Sequence, residues 1–478
     1  MLLLTLTLGI FAGSPMNAFA SDSAASIRRN VPLTPATLGY LRAEGKQIVD
    51  ENGHYTLLRG ANFYGYEFGL WDRHIEQDYQ KMSSWGFNVV RLPIAWNFIE
   101  PKAGTYDDGY FSQYVDRDIG WAKKYGLYVI LDMHEYGWSP YFTYYDSWRT
   151  AGLPSWAVSA YPNDAEGAAR ARADFWNGLG PNGTLASGAN PSMQDRFIQM
   201  WKHVAARYGN EPVIAAFDLF NEPGVFANGI TFYNPNTFCK STIPDFLTKV
   251  VDAIRVVDNR HIIMWEPAEN CIWNLTVSLS TITSPVRRPN VVYSLHYPGV
   301  GDAMTLSRGY CGDRDRLEKA FENSVLHPSN DWNQPVFIGE YGIEIQAINA
   351  TQYIRDFVAL MNKHFIGGAW WTYGRGSSFG MNLLDQNGSE RLALIQNIVV
   401  PYVRVSTSSG VSSVFSAESK TFNVDVKGPA TMAICLPSYF SLRGVDVDSS
   451  AQVVWVPSQR SLSVALPVDA SALVVEMQ

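Results

Sequence analysis

Eight short apolar runs, each followed by a helical segment or a loop long enough to hold one, constrain this chain more than any other feature. The runs cover residues 57–62, 88–92, 127–132, 213–219, 261–265, 291–295, 336–339 and 367–371. Amphipathic stretches of helical period fall between and after them at 75–85, 111–124, 193–208, 244–257, 314–325, 352–363 and 391–399. A strand that is apolar on both faces belongs in a parallel sheet, where crossover helices cover both sides. Eight such units favour closure into a (β/α)8 TIM barrel over an open doubly wound sheet. The open alternative usually carries Gly-x-Gly-x-x-Gly after its first strand, and the sequence has none there.

Polar residues gather where these runs end, which is the face on which barrel enzymes keep their chemistry. Asn62 ends the first run, Arg91 lies at the end of the second, His134 follows the third and Glu266 the fifth. His296 and Tyr297 follow the sixth, and Trp371 closes the eighth. The fourth run stops at Asn221-Glu222-Pro223, where the proline forbids further ladder pairing, and Glu340 follows the seventh. Strands four and seven of a closed barrel face each other across its mouth, so Glu222 and Glu340 are placed to meet.

Two carboxyls can break a glycosidic bond without a cofactor, one delivering a proton to the leaving oxygen and the other countering the oxocarbenium charge. In that scheme Arg91 and Tyr297 steady one carboxylate in its ionised form. Asn221 reaches the sugar 2-hydroxyl, His134 and His296 complete a hydrogen-bonded shell, and Trp371 offers a flat wall to a pyranose. Asn62, Trp138 and Glu266 join them as candidate substrate contacts, although Glu266 is read first as a solvated loop carboxylate or a local ion pair. His134, His296, Glu222 and Glu340 could ligate a metal, but no His-Glu-x-x-His or comparable spacing supports one, so neither metal nor cofactor is expected. A barrel that binds glycan without turnover is the non-enzymatic alternative, and acidic side chains at both positions weigh against it.

The net charge of −8, without any basic tract, excludes a nucleic-acid partner, since such binders rely on clustered cations. Fifteen Trp and 25 Tyr exceed the needs of a core this size and suit a surface that meets sugar rings or lipid chains. Many of them lie in an insertion at 135–190, among them Trp138, Tyr141, Phe142, Tyr144, Tyr145, Trp148, Trp156 and Trp176. Such a segment, far longer than an ordinary loop, is expected to fold as a lid or wall over the mouth.

The barrel is assigned to 30–402 and a small β-sandwich to 403–478, where Phe422, Val424 and Val426, then Leu462, Val464 and Leu466, alternate with polar neighbours. A hairpin turn is expected at 457–460, and Asn52-Gly53 marks a further hairpin, within 41–57, capping the fold. Residues 1–20 have the apolar run and Ala-Phe-Ala exit of a secretory signal, without a preceding Lys or Arg, which points to a secreted, extracellular protein. No later stretch reaches eighteen uninterrupted apolar residues, so stable membrane insertion is not expected. Of the four cysteines, Cys239, Cys271 and Cys311 follow successive runs, which allows one bridge between neighbouring loops without choosing the pair.

The set Arg91-Leu92-Pro93, Trp96, Ile99-Glu100-Pro101, Asp132-Met133-His134, Asn221-Glu222-Pro223, His296-Tyr297, Gly339-Glu340-Tyr341-Gly342 and Trp370-Trp371 resembles glycoside hydrolase family 5, in matching order over about 57–402. The resemblance implies a retaining β-glycosidase with Glu222 as general acid/base and Glu340 as nucleophile, an assignment the bare sequence does not make. It implies an oligo- or polysaccharide substrate, read first as a β-linked glucan and alternatively as a glycolipid. The alternative comes from the C-terminal region, where Gly444-Val445-Asp446, Trp455 and Ser458 to Leu462 are similar to the sandwich of endoglycoceramidase-type members. Those members typically carry Gln-Asp after the strand-three histidine, where this chain has Glu135-Tyr136-Gly137-Trp138.

Overall fold

A computed structural model describes residues 38–134, 139–143, 151–224, 235–268, 271, 277–298, 303–305, 307–375, 380–467 and 472–478. Eight parallel strands close into a barrel: β1 Arg59–Phe63, β2 Val89–Ile94, β3 Tyr128–Met133, β4 Ile214–Asp218, β5 Ile262–Trp265, β6 Val291–His296, β7 Val336–Tyr341 and β8 Gly367–Tyr373. They follow in chain order around the ring, with β8 pairing β1. Each apolar run read from the sequence is one of these strands. Residue 57, expected in the first, instead donates its N–H to the Arg404 carbonyl at 2.9 Å and so belongs to the C-terminal sheet.

The inward side chains at the base are Val89, Ile130, Ala216, Ile262, Met264, Val292, Phe337 and Ala369, which form one buried cluster. The alternate positions, such as Val90, Leu92, Val129, Leu131, Phe217 and Ile263, face the surrounding helices in a separate, larger core. This period of two lifts Arg91, Asp132, Asp218, Ser294 and His296 onto the inward face, above the apolar plug.

Strand β7 departs from that period. Its register against β6 shifts between Ile338 and Glu340, and Tyr341 packs outward on Phe357 and Trp370. Such a bulge re-aims side chains. Here it turns Glu340 inward directly after Gly339, where strict alternation would have sent Tyr341 inward.

The sandwich has one sheet of four strands, Val411–Ser416, Thr421–Val426, Ala472–Met477 and Leu442–Val447, and a second of seven. The second begins with Arg42–Glu44, Gln47–Val49 and Tyr55–Thr56 and continues through Tyr402–Ser406, Ala430–Cys435, Ser461–Leu466 and Gln452–Val456. The assignment of 30–402 wholly to the barrel is therefore corrected at its start. Turn chemistry marks where a hairpin bends but carries no information about the sheet edge it joins. The expected turn at 457–460 joins its two antiparallel strands.

In the insertion, the described residues include helices Ser155–Val158 and Ala165–Trp176. Phe175 and Trp176 pack on Phe220 and Phe246, and the Trp156 indole donates to the Glu100 carbonyl at 2.8 Å, so this part is a wall that shares the core of the barrel's helical layer. Trp138, Tyr144, Tyr145 and Trp148 lie outside the described residues, as does the 1–20 segment. A disulfide joins Cys239 to Cys271, after β4 and β5 respectively, while Cys311 and Cys435 are free. Among the described residues no helix is long and apolar enough to cross a membrane.

The barrel meets the sandwich at Gly86, which has φ +84° and whose carbonyl accepts from Tyr402 Oη and Arg404 Nη2, each at 2.7 Å. A Cβ there would lie 2.5 Å from Cys435 Sγ. Gly86→Ala should therefore lower the unfolding free energy by about 1–3 kcal/mol, read by denaturant titration, with KM unchanged.

Candidate active site

Arg91 organises the mouth of the barrel. It is fully buried, and its guanidinium reaches six groups from five other strands. Nε donates to Asp218 Oδ2 at 3.0 Å, Nη1 to Asn62 Oδ1 at 3.0 Å and to Glu340 Oε1 at 3.2 Å. Nη2 donates to Asn221 Oδ1 at 3.1 Å and Glu266 Oε1 at 3.0 Å, and lies 2.9 Å from Asp132 Oδ1. Burial disfavours the charged form, but the Asp132, Asp218, Glu266 and Glu340 carboxylates outweigh it and hold Arg91 well above its ordinary range.

Glu222 and Glu340 converge as their strand positions require. Glu222, His296 and Glu340 each bring one ligand-capable atom within 4.8 Å of the others. His296 Nδ1 lies 2.8 Å from Glu222 Oε1 and 3.7 Å from Glu340 Oε2, so the ring stands beside both carboxyls. Tyr297 donates its hydroxyl to Glu340 Oε2 at 3.0 Å. Arg91 and Tyr297 thus hold the two oxygens of the same carboxyl, Glu340. The three groups are also spaced as cation ligands would be, but Arg91 and a charged His296 already offset their acidity.

Burial pushes the Glu340 carboxyl up to about 7, with the Glu222 charge adding to the rise while His296, Arg91 and His134 oppose it. Burial would lower His296, yet Glu266, Glu340 and Glu222 surround it and raise it well above its usual value. His134 is likewise lifted to about 9, because the adjacent Asp132 carboxylate, 2.8 Å from its Nδ1, outweighs the desolvation of its ring. Both imidazoles are cationic near neutrality. They join Arg91 as positive charges facing a larger number of acids.

Trp371 lies parallel to His134, with ring centroids 5.6 Å apart and planes inclined by 9°, and remains partly exposed. The pair forms a flat wall. Asn221 uses Oδ1 on Arg91, while its buried Nδ2 has no hydrogen-bond partner and is free to donate.

Two expected substrate contacts are instead engaged by protein. Asn62 is fully buried and donates to the Gly339 carbonyl at 3.0 Å while accepting from Arg91. Glu266 is ion-paired, as one of its two first readings had it, and not solvated: it is 2 % exposed, pairs with Arg91 and His296, and accepts the Glu222 N–H at 2.9 Å. The sequence reading gave no role to Asp132 or Asp218, which pair with Arg91 from below. Their signal was available, because each is a carboxylate embedded in an otherwise apolar strand.

Gly339 is required by this packing, since a Cβ on it would stand 2.7 Å from His296 Nε2 and 2.8 Å from Ser294 Oγ. Gly339→Ala is expected to displace the His296 ring. It should reduce kcat/KM by roughly 10²-fold through misplacement and destabilise by about 1–3 kcal/mol, checked by kinetics and thermal unfolding.

A family model described as cellulase (glycosyl hydrolase family 5) matches residues 49–377. The chain is similar to endoglycoceramidase I of Rhodococcus hoagii (strain 103S), at 24% identity over 389 residues, covering 73% of this chain and 70% of that one. It is similar to endoglucanase C of Acetivibrio thermocellus, at 23% over 340 residues, covering 62% and 83%. Among solved structures, endo-glycoceramidase II from Rhodococcus sp. in complex with ganglioside GM3 superposes with a TM-score of 0.70 at 21% identity, covering 91% of this chain and 99% of that one.

Proposed function

The chain belongs to glycosyl hydrolase family 5 and is a glycoside hydrolase, and from the geometry of its barrel mouth we propose that it cleaves β-glycosides with retention, Glu340 as nucleophile and Glu222 as general acid/base. The observation that carries this reading is the approach of the two carboxyls to within 4.8 Å. Retaining enzymes hold theirs about 5–5.5 Å apart, whereas inverting enzymes leave room for a water between them.

The division of roles rests on the partners of each acid. Glu340 accepts from Arg91 and Tyr297, contacts that favour its anion and direct it at an anomeric carbon. In the first step a Glu340 oxygen bonds to that carbon as its bond to the leaving oxygen breaks, and the Glu222 proton passes to that oxygen. In the second, Glu222 takes a proton from water, whose oxygen displaces Glu340. His296, beside both carboxyls, offsets the negative charge that moves between them. The free Asn221 Nδ2 suits the sugar 2-hydroxyl, and the His134–Trp371 wall suits a pyranose face.

The preferred substrate class is a glycan β-linked to a lipid, as in a glycosylceramide. Support comes from the sandwich, which the likeness to endo-glycoceramidase II includes because it extends over 91% of the chain. A β-linked glucan is the second reading, favoured by the match to endoglucanase C over 83% of that enzyme's length. Export belongs to the same proposal, supported by the signal-like residues 1–20 and the Cys239–Cys271 bridge.

Incubation with a 2,4-dinitrophenyl 2-deoxy-2-fluoro-β-glycoside should label the peptide that contains Glu340, read by mass spectrometry; a label elsewhere overturns the assignment. Because the nucleophile must be ionised, kcat/KM should fall as pH drops through about 7, where burial places Glu340, and loss of the Glu222 proton should set the alkaline limb. Tyr297→Phe removes a donor to the ionised form, so its acid limb should move to higher pH. Hydrolysis of lactosylceramide, with little release from carboxymethyl cellulose, would support the lipid-linked reading, and the reverse would support the glucan.

A further inference from the structure

Glu222 has a positive φ of 46°, a strained conformation for a residue with a side chain, which persists only where its surroundings enforce it. Its N–H donates to Glu266 Oε2 at 2.9 Å. The other Glu266 oxygen, Oε1, lies 3.1 Å from His296 Nε2, and the opposite ring nitrogen, Nδ1, lies 2.8 Å from Glu222 Oε1. The contacts close a loop: one buried carboxylate holds Glu222 by a main-chain hydrogen bond and, through an ion pair with the imidazole that lacks hydrogen-bond geometry, by its side chain.

We propose that Glu266 is a positioning residue for the acid/base carboxyl, fixing the backbone and the functional oxygen of Glu222 together so that its proton is presented to the leaving group. This inference rests on the assignment of Glu222 as acid/base. The alternative route for Glu266 runs through its 3.0 Å contact with Arg91, which also holds Glu340, and would act on the nucleophile instead. The two routes differ in which substrates they affect. A poor leaving group requires the proton from Glu222, whereas an activated phenolate departs without it; both require the nucleophile.

The test compares kcat/KM for phenyl and 2,4-dinitrophenyl β-lactosides and β-cellobiosides in the wild type and the Glu266→Gln, Glu266→Asp and Glu222→Ala variants, with thermal unfolding to confirm that each is folded. Glutamine keeps the shape but puts a donor where one of two acceptors stood. It should cost about 10- to 100-fold on the phenyl substrate and under about threefold on the dinitrophenyl one. Aspartate retains the charge and should lose less on the phenyl substrate; it carries the comparison if the glutamine variant does not fold. Equal losses on both substrates, or none, overturn the inference. Glu222→Ala tests the premise separately: it should show the same split at roughly 10²-fold or more, with azide restoring turnover as a β-glycosyl azide. If it lacks the split, the acid/base assignment fails. If it shows the split and the Glu266 variants do not, only the inference fails.

Discussion

One guanidinium with four carboxylates around it is the constraint on which this barrel depends. Arg91 is sealed from water and paired with Asp132, Asp218, Glu266 and Glu340. No carboxylate in that set tolerates burial without it, because stripping a charge of water costs several kcal/mol even after relaxation. The converse also holds: Arg91 is kept charged by acids drawn from β3, β4, β5 and β7, so the five groups exist in this form only while the ring is closed. The electrostatics and the topology are therefore one requirement.

That ring leaves more acid than base at the mouth. Asp132, Asp218, Glu222, Glu266 and Glu340 face Arg91, His134 and His296, and the imbalance is met by protons as well as by cations. Asp218 is raised to about 7 mainly by burial, and Glu340 to a similar value. A site arranged in this way keeps mobile protons near neutrality, which acid/base chemistry on a sugar oxygen requires. Local backbone irregularity then delivers the reacting groups: the bulge in β7 turns Glu340 inward, and the left-handed Glu222 faces it from β4.

The barrel was legible because its signal is repeated. Eight apolar runs, each followed by a helical stretch or a loop long enough to hold one, leave few alternatives, and the polar residue ending each run names the functional face. Glu222, Glu340, Arg91 and Tyr297 meet as their strand ends implied. The sequence did not show which polar groups face substrate and which face each other. Asn62 and Glu266 look like any strand-end amide or acid until Arg91 is seen to engage them. Asp132 and Asp218 lie within strands, where a reading focused on strand ends gives them no weight. The edge of the sandwich was also hidden, because the hairpin of residues 42–56 pairs with a strand that starts at Tyr402, and a contact across that separation leaves no local trace.

That pairing has a consequence for synthesis. The earliest described strands of the polypeptide and some of its last are neighbours in a single hydrogen-bonded layer, with β1 beginning just after the third of the early strands. A ribosome releases the chain in one direction, so this layer cannot form until translation is nearly finished, and the first-made segment must wait, unpaired, for its partners. Contacts of such long span slow folding. Maturation of the hydrolase is thereby tied to completion of its tail, and a chain stopped early would carry every barrel strand with one flank of its scaffold missing.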